Sequence, residues 1–205
     1  MNNLIVGTPR SGTYNLYNSI VANPDQTGES EPFFNTSVFN TNSYVSFEDF
    51  KLNLPKNNHC VKTISIQFPS NIDTTNCIEY YRELFSLFDN IILLDRKDTT
   101  DHYKSWCNLV SKIKKKGGTK DVNDPYIFKD NMVSLDEIEW FVLSKVTLHR
   151  VAQEFNKEVF YYEDLYFNDT KGTYERMNLN LTKFSAKYLD LNRKYRRNDF
   201  KRTLL

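Results

Sequence analysis

The chain has 205 residues, 40% of them hydrophobic, with 13 Tyr and 15 Phe, enough for one domain with a sizeable core. Its net charge is only +1, so bulk charge argues neither for nucleic acid nor for a membrane surface as partner. The three cysteines, Cys60, Cys77 and Cys107, are odd in number and far apart in sequence, which speaks against a disulfide framework or a structural zinc site and fits a reducing compartment.

Leu4-Ile5-Val6 is a short apolar run ending at Gly7 and reads as a buried strand. Gly7-Thr8-Pro9-Arg10-Ser11-Gly12-Thr13 follows as a loop, and residues 14–22 read as a helix. Residues 23–57, rich in Asn, Ser, Thr and Phe, read as loops with short irregular elements. Residues 60–66 predict a second strand, and Ile78, Tyr81, Leu84, Phe85 and Phe88 have helical spacing. Ile91 to Leu94 is the clearest buried strand; a helix over 98–113 follows, with Tyr103, Trp106, Val110 and Ile113 on one face. Residues 116–133 read as a mobile loop. Ser134 and Glu137 form a capping-box pattern that starts a long helix to about residue 155, and Val159 to Tyr162 predicts a fourth strand. The remainder reads as helical with a basic segment at 193–205. Alternating strands and helices imply an α/β fold: one three-layer domain over 1–205, with helices flanking a parallel sheet of about four to five strands. The opening residues carry no signal-peptide-like apolar run, and no stretch approaches the ~20 apolar residues of a membrane span. The expectation is a soluble, cytoplasmic protein with no transmembrane segment.

Residues 7–13 are the chemically informative string. Strand, glycine-bearing loop and helix start together make an anion cradle, because glycine lets backbone approach a ligand closely and a helix N-terminus presents N–H groups with a partial positive charge. Ser11 and Thr13 offer hydroxyls, and Arg10 a fixed cation. The plain alternative is an ordinary strand-to-helix turn. The nucleoside-triphosphatase pattern GxxxxGK[ST] is incomplete, since Thr13 stands where its Lys would be, which disfavours ATP or GTP turnover.

The string resembles the first signature of the sulfotransferases that use 3′-phosphoadenosine 5′-phosphosulfate (PAPS): a strand, then Pro-[Lys/Arg]-Ser-Gly-[Thr/Ser]-[Thr/Ser]. Residues 9–13 match it, and Tyr14 departs from the last hydroxyl position. The second signature is a strand, then Arg, then Ser eight or nine residues on; Arg96 and Ser105 match it, and the form Arg-x-Asp followed by Ser-Trp is similar to the bacterial carbohydrate and trehalose enzymes. Weaker matches are Glu31-Pro-Phe-Phe-Asn35, Val61-Lys62-Thr63 and Tyr162-Glu-Asp-Leu165, so the likeness spans roughly residues 3–166.

The resemblance implies that Arg10, Ser11, Gly12, Thr13 and Tyr14 bind the 5′-phosphosulfate, and that Arg96 and Ser105, with Arg196 and Arg197 of the basic segment, bind the 3′-phosphate. Glu31 is the candidate base, Glu29 the alternative, and Lys62 with Arg10 completes the catalytic set. No metal is implied. The acceptor is a hydroxyl group, on a carbohydrate or glycolipid by resemblance, with peptide tyrosine also open. Two other readings stand: a P-loop small-molecule kinase, with Asp95 as its acidic strand-end residue, and a nucleotide-binding module without turnover. His102 reads as a surface helix histidine, His59 as ordinary and His149 as a packing residue. Tyr161, Phe33 and Phe34 read as core aromatics that could alternatively line a pocket.

Overall fold

The computed structural model describes residues 1–33, 44, 46–69, 77–115 and 133–179, with the side chains of 112–115 left aside. Arg196, Arg197, the basic segment at 193–205, Phe34, Asn35 and, apart from Val133, the expected loop at 116–133 lie outside the described residues.

Five strands form one all-parallel sheet: β1 (Asn3–Gly7), β2 (Thr27–Ser30), β3 (His59–Ile64), β4 (Asn90–Asp95) and β5 (Val159–Tyr161), in the order β2-β3-β1-β4-β5. The helices are α1 (Thr13–Val21), α2 (Phe47–Asn53), α3 (Cys77–Ser86), α4 (Thr99–Lys115), α5 (Leu135–Glu154) and α6 (Thr170–Arg176), with a π-helical turn at Asp164–Asn168. Side chains alternate across a strand, and each face of this sheet has its own core. Leu4, Val6, Val61 and Leu93 pack with residues of α2, α3 and α5. Ile5, Cys60, Ile92 and Leu94 pack with α1, the π-helical turn and α6. Burial on both faces explains why β1 and β4 appear in the sequence as unbroken apolar runs. The fold is the expected three-layer α/β arrangement. All three cysteines are buried and stand outside any disulfide. Among the described residues, no helix is long and apolar enough to cross a membrane.

Residues 23–57 contain more regular structure than their composition suggests. Thr27–Ser30 is an edge strand whose backbone pairs with β3 from Thr27↔His59 to Ser30↔Lys62, so ladder bonding supplies what β-propensity does not. Helix α2 starts at Ser46, whose side chain accepts from Asp49 N–H, and it buries Phe47 and Phe50. The predicted strand over 60–66 ends at Ile64, and α5 begins with the expected capping box at Ser134 and Glu137.

From β1 the chain crosses to β2 on one side of the sheet, and from β4 to β5 on the other. The direction reverses between β1 and β4, and open α/β sheets bind ligands at the carboxyl ends of strands flanking such a switch. The loop after β1 and Arg96 after β4 both stand there.

Candidate functional site

Thr8 N–H bonds the Leu94 carbonyl at 3.2 Å, tying the first loop residue to β4. Ser11 N–H and Ser11 Oγ both donate to the Thr8 carbonyl, at 3.2 and 2.7 Å. The buried Ser11 side chain therefore shapes the loop from within, contrary to the expectation of a hydroxyl offered to a ligand. Arg10, with φ 66°, and Gly12, with φ 87°, are both left-handed. The N–H groups of Gly12, Thr13 and Tyr14 have no acceptor among the described residues. Three such amides at a helix N-terminus make an anion cradle. Tyr14 contributes its backbone; its ring is exposed and stacks on Tyr17.

Only glycine fits position 12. Its φ disfavours a side chain, and an added Cβ would lie 2.6 Å from the Tyr162 ring and 2.8 Å from that of Tyr166. Tyr166 also donates its hydroxyl to the Gly12 carbonyl at 3.0 Å. Gly12→Ala is expected to cost about 1–3 kcal/mol in urea unfolding; an unchanged midpoint would mean the loop relaxes freely.

Arg10 Nε donates to Ser105 Oγ at 3.3 Å, joining positions 95 residues apart in sequence. Arg96 is 8% exposed, lies over the Tyr162 ring at 4.8 Å and faces Glu163 Oε1 at 3.7 Å. Ser105, expected with Arg96 at a 3′-phosphate, here accepts from Arg10 of the loop. Tyr162, wedged between Arg96 and Gly12, is what connects Arg96 to the loop. A cleft of about 350 Å³ opens beside this group onto Arg96, Lys97, Lys145, His149 and Tyr161. Phe33 lies in the core against Phe47, Phe50 and Tyr80.

At the end of β2 and β3, Glu31 N–H bonds the Lys62 carbonyl at 2.6 Å, and Lys62 Nζ bonds Glu31 Oε1. Gln67 Nε2 donates to the other carboxylate oxygen at 3.1 Å. Lys62 is 4% exposed and Glu31 26%, so a nearly buried ammonium is neutralised by a carboxylate that still reaches solvent. Glu31 also has a left-handed φ of 58°, an uncommon backbone state for a non-glycine residue. Glu29 instead accepts from the Tyr44 hydroxyl at 2.7 Å, so Glu31 is the carboxylate paired with Lys62.

Two histidines differ from expectation. His102 is fully buried, not on the surface: its Nε2 lies 2.5 Å from the Pro9 carbonyl and its Nδ1 3.3 Å from Lys145 Nζ. His149, whose side chain is about half exposed, bonds Asp95 through Nε2 at 2.9 Å, so it is a polar partner and not a packing residue. Asp95 also accepts from Thr8 Oγ1 at 2.7 Å and, through both oxygens, from Lys145 at 2.8 Å. Burial by itself would raise the Asp95 pKa, but Lys145, Thr8 and His149 together hold it below the usual carboxylate value. Sequence reasoning missed Lys145 altogether. Its signal was spacing: Phe141, Lys145 and His149 follow one another at four-residue steps, and so share a helix face. No protein-family model matches this chain, and no curated protein matches it in sequence.

Proposed function

We propose that this protein transfers a sulfuryl group from PAPS to an acceptor hydroxyl, on a carbohydrate or glycolipid. The observation that carries this reading is the Arg10–Ser105 hydrogen bond. It brings the phosphate-loop motif and the second motif within hydrogen-bond reach of each other, which supports a ligand with phosphates at both ends of a ribose. The residues fit such a ligand. The amides of Gly12, Thr13 and Tyr14, with Arg10, would hold the 5′ end; Arg96 and Ser105, joined in this proposal by Arg196 and Arg197, would hold the 3′-phosphate. Bound PAPS supplies an activated sulfuryl group on a phosphate leaving group. Glu31 would accept the acceptor proton, and Lys62 would offset negative charge at the reacting centre.

A phosphoryl-transfer reading has less support. Thr13 replaces the loop lysine, and both oxygens of Asp95, its candidate metal-binding carboxylate, are taken by Lys145. Turnover of labelled PAPS in an acceptor screen separates an enzyme from a nucleotide-binding module.

Calorimetry with 3′,5′-adenosine diphosphate, set against ATP with magnesium, tests the cofactor. Tighter binding of the 3′-phosphorylated nucleotide is expected; tighter ATP binding overturns the reading. Arg96→Ala should weaken 3′,5′-adenosine diphosphate roughly 10- to 100-fold, the worth of a charge-assisted hydrogen bond, and leave 5′-AMP nearly unaffected. Equal weakening of both refutes the 3′-phosphate role.

A further inference from the structure

The phosphate loop is held from behind by a buried polar chain that the sulfuryl-transfer scheme does not use. Asp95 at the end of β4 takes the Thr8 hydroxyl at 2.7 Å and Lys145 Nζ at 2.8 Å on each oxygen. Lys145 also donates to the Arg96 carbonyl at 3.3 Å. Its remaining contact is Nδ1 of His102, at 3.3 Å. An ammonium can only donate, so a hydrogen bond from Lys145 to Nδ1 calls for the ring's lone pair at that nitrogen. A carbonyl can only accept, so the nitrogen 2.5 Å from the Pro9 oxygen must carry the ring hydrogen. The Pro9 oxygen places the ring hydrogen on Nε2, and the Lys145 ammonium beside Nδ1 favours the neutral imidazole with its lone pair there. Phe141 closes over the ring edge-on, with centroids 4.8 Å apart.

We propose that His102 is a positioning residue of the anion-binding loop, clamping the Pro9 carbonyl through Nε2–H while Lys145, anchored on Asp95, locks the ring in that tautomer. The clamp has a geometric consequence for the ligand side. No peptide bond in the described chain is cis, and in a trans peptide the carbonyl and the following N–H point in opposite directions. Holding the Pro9 carbonyl on His102 therefore turns the Arg10 N–H away from α4 and sets the Pro9–Arg10 peptide from which the left-handed Arg10 leads into Gly12. The loop is thus pinned at two successive residues, Thr8 by Asp95 and Pro9 by His102, on the approach to the amides of Gly12, Thr13 and Tyr14. Burial lowers the His102 pKa to about 4; the Pro9 carbonyl and Asp95 oppose the shift, and the Lys145 and Arg96 cations reinforce it. The ring therefore stays a neutral donor at neutral pH.

This inference rests on the loop being the anion cradle of the proposed function. The test uses the full chain. Long-range ¹H–¹⁵N spectra should show His102 as the neutral Nε2–H tautomer at pH 7, altered in Lys145→Met. His102→Leu should weaken 3′,5′-adenosine diphosphate about 10-fold, the loss of one well-placed buried hydrogen bond. His102→Gln, whose amide can still donate to Pro9, should stay within about 3-fold of the parent. An Nδ1–H tautomer, or a folded His102→Leu with parent affinity, overturns the proposal. Should the parent chain bind no 3′,5′-adenosine diphosphate, the cofactor reading fails and the clamp is still decided by hydrogen exchange at Ser11 N–H, which bonds Thr8 within the loop. Faster exchange in His102→Leu but not in His102→Gln supports it, and unchanged exchange in both overturns it. Should the leucine variant fail to fold, the tautomer and the glutamine variant decide.

Discussion

Glu31→Gln is expected to lower sulfuryl transfer by roughly 10²- to 10⁴-fold, the usual contribution of a general base, while leaving the affinity for 3′,5′-adenosine diphosphate unchanged. The split follows from position. Glu31 stands beyond β2 against Lys62 of β3, whereas the loop and Arg96 stand at β1 and β4. Its carboxylate is aimed by Lys62 on one oxygen and Gln67 on the other, and its amide is fixed on the Lys62 carbonyl. A left-handed backbone at a residue so tightly held is the kind of local strain that functional sites retain. Glutamine keeps the shape but cannot take a proton. Glu29→Gln should keep turnover, because its carboxylate is held by Tyr44 and not by Lys62. The Tyr44 phenol, its pKa raised to about 12 by burial and by that carboxylate, stays protonated as donor. Turnover with labelled PAPS, nucleotide calorimetry and a melting curve are measured on both variants. Loss of turnover in Glu29→Gln alone would move the base to Glu29; loss of nucleotide affinity in Glu31→Gln would make its role binding.

The sheet was legible where burial is two-sided. Leu4 to Val6 and Ile91 to Leu94 have apolar neighbours on both faces, and so form runs that composition alone reveals. The start of α5 was legible because a capping box is local chemistry. β2 was not, because Thr-Gly-Glu-Ser has no apolar signature and owes its conformation to β3. α2 left a weak trace in Ser46 and Asp49 and in the spacing of Phe47 and Phe50. At the site, the loop and Glu31 stood out by residue type, while the Asp95–Lys145–His102 chain did not, since sequence does not reveal which charged side chains turn inward. A trace existed in α4: His102, Trp106 and Val110 are at four-residue steps, which puts the histidine on the helix's buried side. Reading Tyr103 as the face-defining residue hid it.

Asp95→Asn should destabilise the fold by about 3 kcal/mol near neutral pH, the scale for breaking a buried ion pair by removing one partner. The carboxylate is 2% exposed and holds Lys145, Thr8 and His149 at once; asparagine keeps the volume but leaves the Lys145 ammonium without a counter-charge. The loss should also vanish in acid. The native Asp95 pKa lies below the unfolded value, so its contribution is complete above the unfolded carboxylate pKa of about 3.9 and disappears as pH falls through the native one. His102 acts over a higher window. Its native pKa of about 4 lies below the unfolded histidine value, so the unfolded chain binds the extra proton first. The parent should then lose stability from about pH 6.5 downward through His102 and lose the Asp95 contribution only below about pH 4. Urea unfolding at stepped pH, on Asp95→Asn with and without His102→Gln, separates the two. The Asp95→Asn deficit should hold from pH 7 to about 5 and shrink as pH falls below about 4, while His102→Gln should flatten the upper limb. A deficit that persisted undiminished at pH 3 would mean that asparagine fails by packing, and that the charge on Asp95 is not what holds Lys145 behind the loop.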